Sequence, residues 1–438
     1  MSDDSFSPNQ TKNILMKNQQ NIVIIGGGFA GVELAERLLK SELDYHIILV
    51  DKNNYNFFPP LLYQVATGFL DVSNISYPFR KHFRSDKRFS FIMGTLEEII
   101  PHENKIILSC GELSYSKLIL ATGTVTNYFG NESIQENSLP MKTVADAINL
   151  KNRILERLEK ASKTDDDNLR KKLTTFVIAG GGPTGVEVAG MLSELRQNIL
   201  YKDYPELKNS SFDIYLIDGL PNILAPMSKE SQQYAKKTLE NSGVIIKLGQ
   251  NVKEYLDGIV HLADGTSIPS ENLIWTAGVT AQKFKGLPDE SFGKGNRLLV
   301  NSFNELIENP DIFALGDTCL MTSDSEFPQG HPQLAQVAIQ QGRLLAKNII
   351  LNRKGKERKA FSYNDKGSMA IIKRNRAVAD LPKPFKHFNG FIAWLMWIFV
   401  HLMSLINIRN RIMTFFNWMN SYTTRDQPLR MIIDPSKK

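Results

Sequence analysis

The sequence predicts an α/β protein in which one strand–turn–helix unit occurs twice, followed by a C-terminal helical region. Three observations carry this reading. Ile22-Val23-Ile24-Ile25 is a continuous apolar run, as expected of a strand covered on both faces, and it leads through Gly26, Gly28 and Gly31 into a run of helix formers. The pattern returns at FVIAGGGPTGVEVAGML, where Gly180, Gly182 and Gly185 follow their counterparts by 154 residues. A second pair of marks keeps the phase, since LILATG ends at Gly123 and LIWTAG at Gly278, 155 residues apart. G-x-G-x-x-G between strand and helix binds dinucleotides. One glycine makes the tight turn, the next lets backbone approach a pyrophosphate, and the third packs helix on strand. The expected fold is therefore α/β with two Rossmann-like domains, the second inserted in the first, plus a C-terminal membrane-anchoring helical region.

In the first copy, His46–Val50 is the next apolar run and Asp51 ends it, the acid expected at a ribose hydroxyl. Between the copies, residues 143–173 read as a charged helical stretch interrupted by a solvated cap at Thr164-Asp165-Asp166-Asp167. In the second copy the acid is Asp218, 13 residues later than strict repetition gives, and residues 197–209 supply a longer helix and a loop around Tyr204-Pro205. No basic residue immediately follows Asp218, which favours NAD over NADP. DIFALGD then returns a strand ending at Asp317, placed to complete the first site. Residues 334–350 form an amphipathic helix, and Lys354–Lys359 a solvated linker. The expected boundaries are 20–135 and 280–353 for a discontinuous first domain, 136–279 for the second, and 360–438 for the anchoring and dimerisation region.

At 438 residues, 42% hydrophobic and 22% charged, the chain has material for several cores. Cys110 and Cys319 provide neither a disulfide framework nor a metal cluster, and suit a reducing compartment. The polar first 20 residues lack the apolar core of a signal peptide, so the N-terminus is expected to stay cytoplasmic. The net charge of +6 is uneven: from Leu351 onward 17 Lys and Arg face 5 Asp and Glu, leaving 35 against 41 in the rest. Aromatic and apolar neighbours direct this basic end to anionic lipid rather than nucleic acid. FIAWLMWIFV (391–400) is too short for an ordinary transmembrane helix, and the next segment is amphipathic, with Ile412, Phe415, Phe416 and Met419 opposite Asn410, Thr414 and Asn417. Trp394, Trp397 and Trp418 are expected at headgroup level, with Lys383, Lys386, Arg409, Arg411 and Arg425 on anionic lipid. The expectation is a monotopic anchor on the cytoplasmic face of the cell membrane, with a short spanning or re-entrant helix, or an ordinary dimer or core helix pair, as the alternatives.

Two nucleotide sites, one split around the other, form the plan of a two-dinucleotide flavoprotein. Beyond the loops, the chain carries FPPLLYQVATG (58–68), LILATGTVTNYFG (118–130), LIWTAGV, FALGD, AQVAIQQG (335–342), RNRAVADL and AWLMWIFVHL. With these it resembles, from about Gln20 to Ile433, the type II (alternative) NADH dehydrogenases, which oxidise NADH and reduce membrane quinone without pumping protons. The resemblance implies FAD at Gly26, Gly28, Phe29, Ala30, Gly31, Asp51, Lys52, Leu96, Thr122, Gly123, Asp317, Ala335 and Gln336. It implies NADH at Gly180, Gly182, Pro183, Thr184, Gly185, Asp218, Ala277 and Gly278. It also implies a two-electron ping-pong cycle on membrane quinone, ubiquinone or menaquinone, and a homodimer. No metal is expected. Lys373 stands where the family often has glycine, and Lys386 matches a lysine that some relatives carry near the quinone.

Glu187, Gln336 and Gln340 are the expected catalytic residues. Gln336 and Gln340, four apart on a helix, are neutral donors able to meet a quinone carbonyl without burying charge. Glu187 matches a glutamate near the nicotinamide, but Glu33 holds the same place in the first copy, and a first-turn glutamate is favoured by the helix dipole alone. Two other readings stay open. A sulfide:quinone oxidoreductase needs cysteines beside the flavin, and an NADH-responsive flavoprotein could serve as a binding partner without turnover.

Overall fold

Both glycine loops leave the C-terminal end of the first strand of their copy. The computed structural model describes residues 20–382, 387–424 and 429–433; Lys383, Lys386 and Arg425 lie outside them. The chain divides into two units, and each is taken by itself.

The first unit comprises residues 20–56, 77–125 and 280–365. Among the described residues its main sheet runs Cys319–Met321, Leu298–Val300, Glu305–Leu306, Asn309–Ala314, Lys117–Leu120, Gln20–Ile25, Tyr45–Asp51, Phe89–Met93. The last five of these strands are parallel, with Ile24 opposite both Leu49 and Ile119. Continuous apolar sequence follows from burial on both faces: Ile22, Val23, Ile24, Ile48, Leu49, Leu118 and Ile119 are all fully buried. The helix Phe29–Leu39 follows the first loop and packs on the helix Ala335–Arg353.

The second unit comprises residues 57–76, 126–279 and the chain from 366 onward. Its parallel sheet runs Leu139–Pro140, Asn272–Trp275, Thr175–Ala179, Asp213–Asp218, Val244–Leu248. The predicted charged stretch is two helices, Val144–Lys163 and Asp167–Thr174, and the Asp166 carboxylate caps the second. The long second-copy insertion continues the helix Pro183–Leu195 for one wider turn at Arg196–Leu200 before short turns around Pro205.

The C-terminal part of this unit is an antiparallel sheet, Ser368–Lys373, Arg376–Asp380 and His387–Asn389, followed by the helices Gly390–Ser404 and Ile408–Thr424. The strand Ser368–Lys373 lies against the helix Pro183–Leu195. A Cβ on Gly190 would stand 1.6 Å from the Ile372 carbonyl oxygen, so this approach requires glycine. Among the described residues, no helix is long and apolar enough to cross a membrane.

Candidate functional site

The three glycines of the first loop divide their tasks as the spacing predicts. Gly26 has φ +103°, and a Cβ there would meet the Ala121 carbonyl oxygen at 2.4 Å; a Cβ on Gly31 would meet the Gly26 carbonyl oxygen at 2.0 Å. Gly28 is different, for a Cβ there meets nothing within 4 Å. It is exposed and caps the helix Phe29–Leu39 without a side-chain hydrogen bond, so open space lies over the start of the helix. Phe29 is half-buried, Ala30 buried. The Asp51 carboxylate accepts the Gly27 N–H at 2.7 Å through Oδ2 and the Asn53 N–H at 2.8 Å through Oδ1. Burial pushes its pKa up against these two bonds. Lys52 is exposed, and Leu96 is half-buried against the core of this unit.

Thr122, Gly123 and Asp317 converge through Thr318. Its hydroxyl accepts the Gly123 N–H at 3.1 Å and lies 3.3 Å from the Thr122 hydroxyl, while Thr124 donates to Asp317 Oδ2 at 3.4 Å. Gly123 has φ +68° and open space at its Cβ position. The first unit therefore fits a pyrophosphate dinucleotide such as FAD: an uncapped helix start, a cleared glycine, and an acid, hydroxyls and left-handed glycine at neighbouring strand ends.

The helix Ala335–Arg353 brings AQVAIQQG to the same unit. A Cβ on Gly342 would stand 2.6 Å from the Ala30 carbonyl oxygen, so this glycine sets how closely the two helices cross. Gln341, missed by sequence reasoning, is buried. Its Oε1 accepts the Gly316 N–H at 2.6 Å, fixing the turn that carries Asp317. Ala335 and Gln336 are half-buried in the first turn. Gln340 is tied to the backbone of Asn364. Its Nε2 donates to the Asn364 carbonyl at 2.9 Å and its Oε1 accepts the Asn364 N–H at 3.0 Å, so backbone already engages both ends of the amide.

The second loop repeats the first. Gly180 has φ +113° and presses on Thr276, a Cβ on Gly185 would lie 1.8 Å from the Gly180 carbonyl oxygen, and the Cβ position of Gly182 is open. Pro183 occupies the first helical position, where its missing N–H costs nothing, and both it and Thr184 are exposed. Asp218 accepts the Gly181 N–H, as Asp51 does from Gly27, and the Leu220 N–H at 2.7 Å. At the next strand end Ala277 is exposed and Gly278 half-buried. Over Gly278 lies Phe129, also missed: its ring would be 2.7 Å from a Cβ there, its φ is +54°, and it is 67% exposed.

Glu187 is the fifth residue of its helix, as Glu33 is of the other, which corrects the first-turn dipole argument. The two copies then part. Glu33 pairs with Arg37 at 2.9 Å and with Arg343 at 3.0 Å. Glu187 is 8% exposed, among the described residues no cation pairs with it, and it accepts the backbone N–H of Ile371. Burial pushes its pKa well above the carboxylate range, which favours the protonated carboxyl. Tyr63, Gln64 and Trp418 form a separate buried polar chain in this unit: Trp418 Nε1 donates to Gln64 Oε1 at 2.7 Å and Gln64 Nε2 to Tyr63 Oη at 2.8 Å. Burial raises the Tyr63 pKa.

At the C-terminal end the helix Ile408–Thr424 is inside out. Asn410, Thr414, Trp418 and Ser421 are buried, while Ile412, Phe415, Phe416 and Met419 are exposed, Phe416 by 63%. In the helix Gly390–Ser404, Phe391, Ile392, Leu395, Phe399 and Met403 are exposed and Ala393, Trp394 and Trp397 buried. The expectation of tryptophans at headgroup level is therefore corrected, because all three are interior residues. The thiols do not form a redox pair: Cys110 is exposed in a hairpin turn, and burial raises Cys319 to about 11.

Residues 20–342 match the pyridine nucleotide-disulphide oxidoreductase family, and residues 366–426 match the NDH2 C-terminal domain. The chain is 34% identical over 428 residues to a type II NADH:quinone oxidoreductase of Mycobacterium tuberculosis, covering 94% of this chain and 90% of that one. A type II NADH:quinone oxidoreductase of Haemophilus influenzae is 28% identical, over 84% of this chain and 88% of its own. Among solved structures, NDH2 from Plasmodium falciparum in complex with NADH superposes with a TM-score of 0.86 at 20% identity, over 95% of this chain and all of that one.

Proposed function

Since the chain belongs to the type II NADH:quinone oxidoreductases, within the pyridine nucleotide-disulphide oxidoreductase family, we propose that it carries two electrons from NADH to a membrane quinone through FAD without pumping protons. It is an NADH:quinone oxidoreductase, and the finer reading divides the work between its two loops. The observation that carries this is the repetition itself: two glycine loops, each with a cleared second glycine and an acid hydrogen-bonded to the loop, each following a strand that pairs parallel with both neighbours.

Gly26 to Gly31, Thr122, Gly123 and Asp317 would hold FAD along its phosphates and ribityl chain, with Asp51 and Lys52 at the adenosine, Leu96 by the adenine, and Ala335 and Gln336 by the ring. Gly180, Gly182 to Gly185, Asp218, Ala277 and Gly278 would hold NADH. FAD supplies a two-electron carrier that each substrate meets in turn, which makes the cycle ping-pong. Glu187, whose burial favours the protonated carboxyl, would supply a proton for the reaction. The exposed apolar faces of the two C-terminal helices support a monotopic seat on the cytoplasmic leaflet, where the basic end meets anionic lipid and the quinone is reached. A homodimer belongs to the same reading.

The test is a bleach-and-reoxidise titration of purified protein. NADH should bleach the flavin absorbance and a short-chain quinone restore it, NADPH being the poorer donor. Failure to bleach sinks the reading. Bleaching without reoxidation by any quinone supports the non-turnover alternative. Cys110→Ser and Cys319→Ser should leave turnover in place, whereas a sulfide oxidoreductase would lose it.

A further inference from the structure

We propose that Phe361–Asp365 is a strap that fixes the quinone-side helix through two locks, with Gln340 as a positioning residue and Asp324 and His331 as the second lock. The proposal rests on the quinone-reducing reading above.

The first lock is the reciprocal pair between the Gln340 amide and the Asn364 backbone, 2.9 and 3.0 Å, equivalent to one rung of a β-ladder made by a side chain. The second lock sits one residue earlier on the strap, where the Tyr363 N–H donates to Asp324 Oδ2 at 3.3 Å. The same carboxylate oxygen lies 2.9 Å from His331 Nε2. His331 is 1% exposed, with rings of Phe327, Phe361 and Tyr363 around it at centroid distances of 5.2, 5.1 and 5.9 Å. Phe361 and Tyr363 point inward while Ser362 and Asn364 are exposed, the alternation of an extended segment, and the Phe361 N–H is tied to the Ser302 carbonyl at 2.8 Å.

His331 itself is held in place. Its carbonyl accepts from Arg297 Nη2 at 3.0 Å, and Arg297 Nε bonds the Cys319 carbonyl at 2.7 Å. Pro332, Gln333 and Leu334 then lead into AQVAIQ, and Gln333 Nε2 reaches the Asp317 carbonyl at 3.3 Å. The loop entering the helix and the strap crossing its second turn are thus pinned by one carboxylate. Asp324 and Gln340 bond different residues of the strap, so their effects couple only if the strap acts as a unit.

The experiment is a double-mutant cycle on the flavin-loaded enzyme, with the NADH and quinone half-reactions followed separately by stopped flow. Gln340→Ala and Asp324→Ala should each raise the KM for a short-chain quinone about tenfold, the scale of a displaced positioning contact. Asp324→Ala should leave bleaching by NADH unchanged. The double variant should fall close to the worse single variant. Asp324→Asn keeps an acceptor for the Tyr363 N–H and should recover most of the quinone KM, which guards against a mere folding defect. Multiplying effects in the double variant would overturn the strap, as would Gln340→Ala acting on quinone while Asp324→Ala does not. If the wild-type protein fails to bleach or reoxidise, the functional reading falls instead.

Discussion

At the level of single residues, the glycines show why backbone demands are easy to read from sequence. Gly26, Gly31, Gly180 and Gly185 are needed because a methyl would collide with main chain, and a collision with main chain has no side-chain remedy. Gly28 and Gly182 have open space at their Cβ positions, so on the proposed reading only a bound dinucleotide demands glycine there, and this separates their mutants. Gly31→Ala should destabilise the fold by about 1–3 kcal/mol in denaturant melts. Gly28→Ala should leave the melt of the flavin-free protein intact and lower its FAD content, read as the flavin-to-protein absorbance ratio, while Gly182→Ala should retain FAD and raise the KM for NADH. Glu187 was less legible, because its identity repeats at Glu33 and only the surroundings differ: two arginines in one copy, an Ile371 N–H in the other. Its raised folded pKa has a consequence. Above the unfolded value, about 4.3, the native state keeps a proton that the unfolded chain has released, so this residue lowers stability as pH rises through that window. Glu187→Gln should therefore melt higher than wild type by a margin that grows from pH 4 to pH 8, and an unchanging margin would show that the carboxyl ionises in the fold. Gln341 and Phe129 were invisible for a related reason, since each matters through a partner distant in sequence, Gly316 and Gly278.

Among elements, the strands were legible because parallel strands buried on both faces need unbroken apolar runs, and the helices after each loop because the glycine spacing announces them. The C-terminal helices were half legible. Period 3.6 in Ile408–Thr424 separates Ile412, Phe415, Phe416 and Met419 from Asn410 and Thr414, but periodicity does not say which face points inward. The answer lay in the partners: Asn410 donates to the Ser76 carbonyl at 3.0 Å and Thr414 to that of Asn74 at 3.4 Å, so the polar face caps backbone of Val72–Ser76. Trp418 lies four residues beyond Thr414 on that same face and belongs inside. Composition alone had drawn it, with Trp394 and Trp397, to the lipid. The two faces should respond oppositely to mutation. Phe415→Ser with Phe416→Ser should leave the melting temperature unchanged. At about 1.5–3 kcal/mol per buried Phe, the pair should lower partition into vesicles on the order of a hundredfold or more. Trp418→Phe should leave partition alone and cost about 1–3 kcal/mol of stability, because the buried Gln64 oxygen loses its donor. These are read by vesicle sedimentation and by denaturant melts on the same preparations.

For the whole molecule, charge and apolar exposure act at the same end of the chain. From Leu351 onward the excess of basic residues is +12, against −6 for the rest, and the exposed faces of Gly390–Ser404 and Ile408–Thr424 fall within that basic stretch. Each cation near an anionic leaflet adds about 1 kcal/mol, an attraction that salt screens within a Debye length of about 8 Å in physiological buffer. Apolar burial responds differently, for salt does not weaken it. A chain held by both should bind vesicles containing anionic lipid in two separable parts. Raising salt to 1 M should release much of the protein from vesicles rich in anionic lipid, yet leave a bound fraction that only detergent removes. Purely zwitterionic vesicles should show that salt-resistant fraction alone. Phe399, 66% exposed, stands with Phe416 in the apolar component, so Phe399→Ser should deplete the salt-resistant fraction while the response to anionic lipid persists. Binding abolished by salt alone would mean that the two helices never enter the bilayer. Binding indifferent to lipid charge would mean that the basic excess serves something other than the membrane.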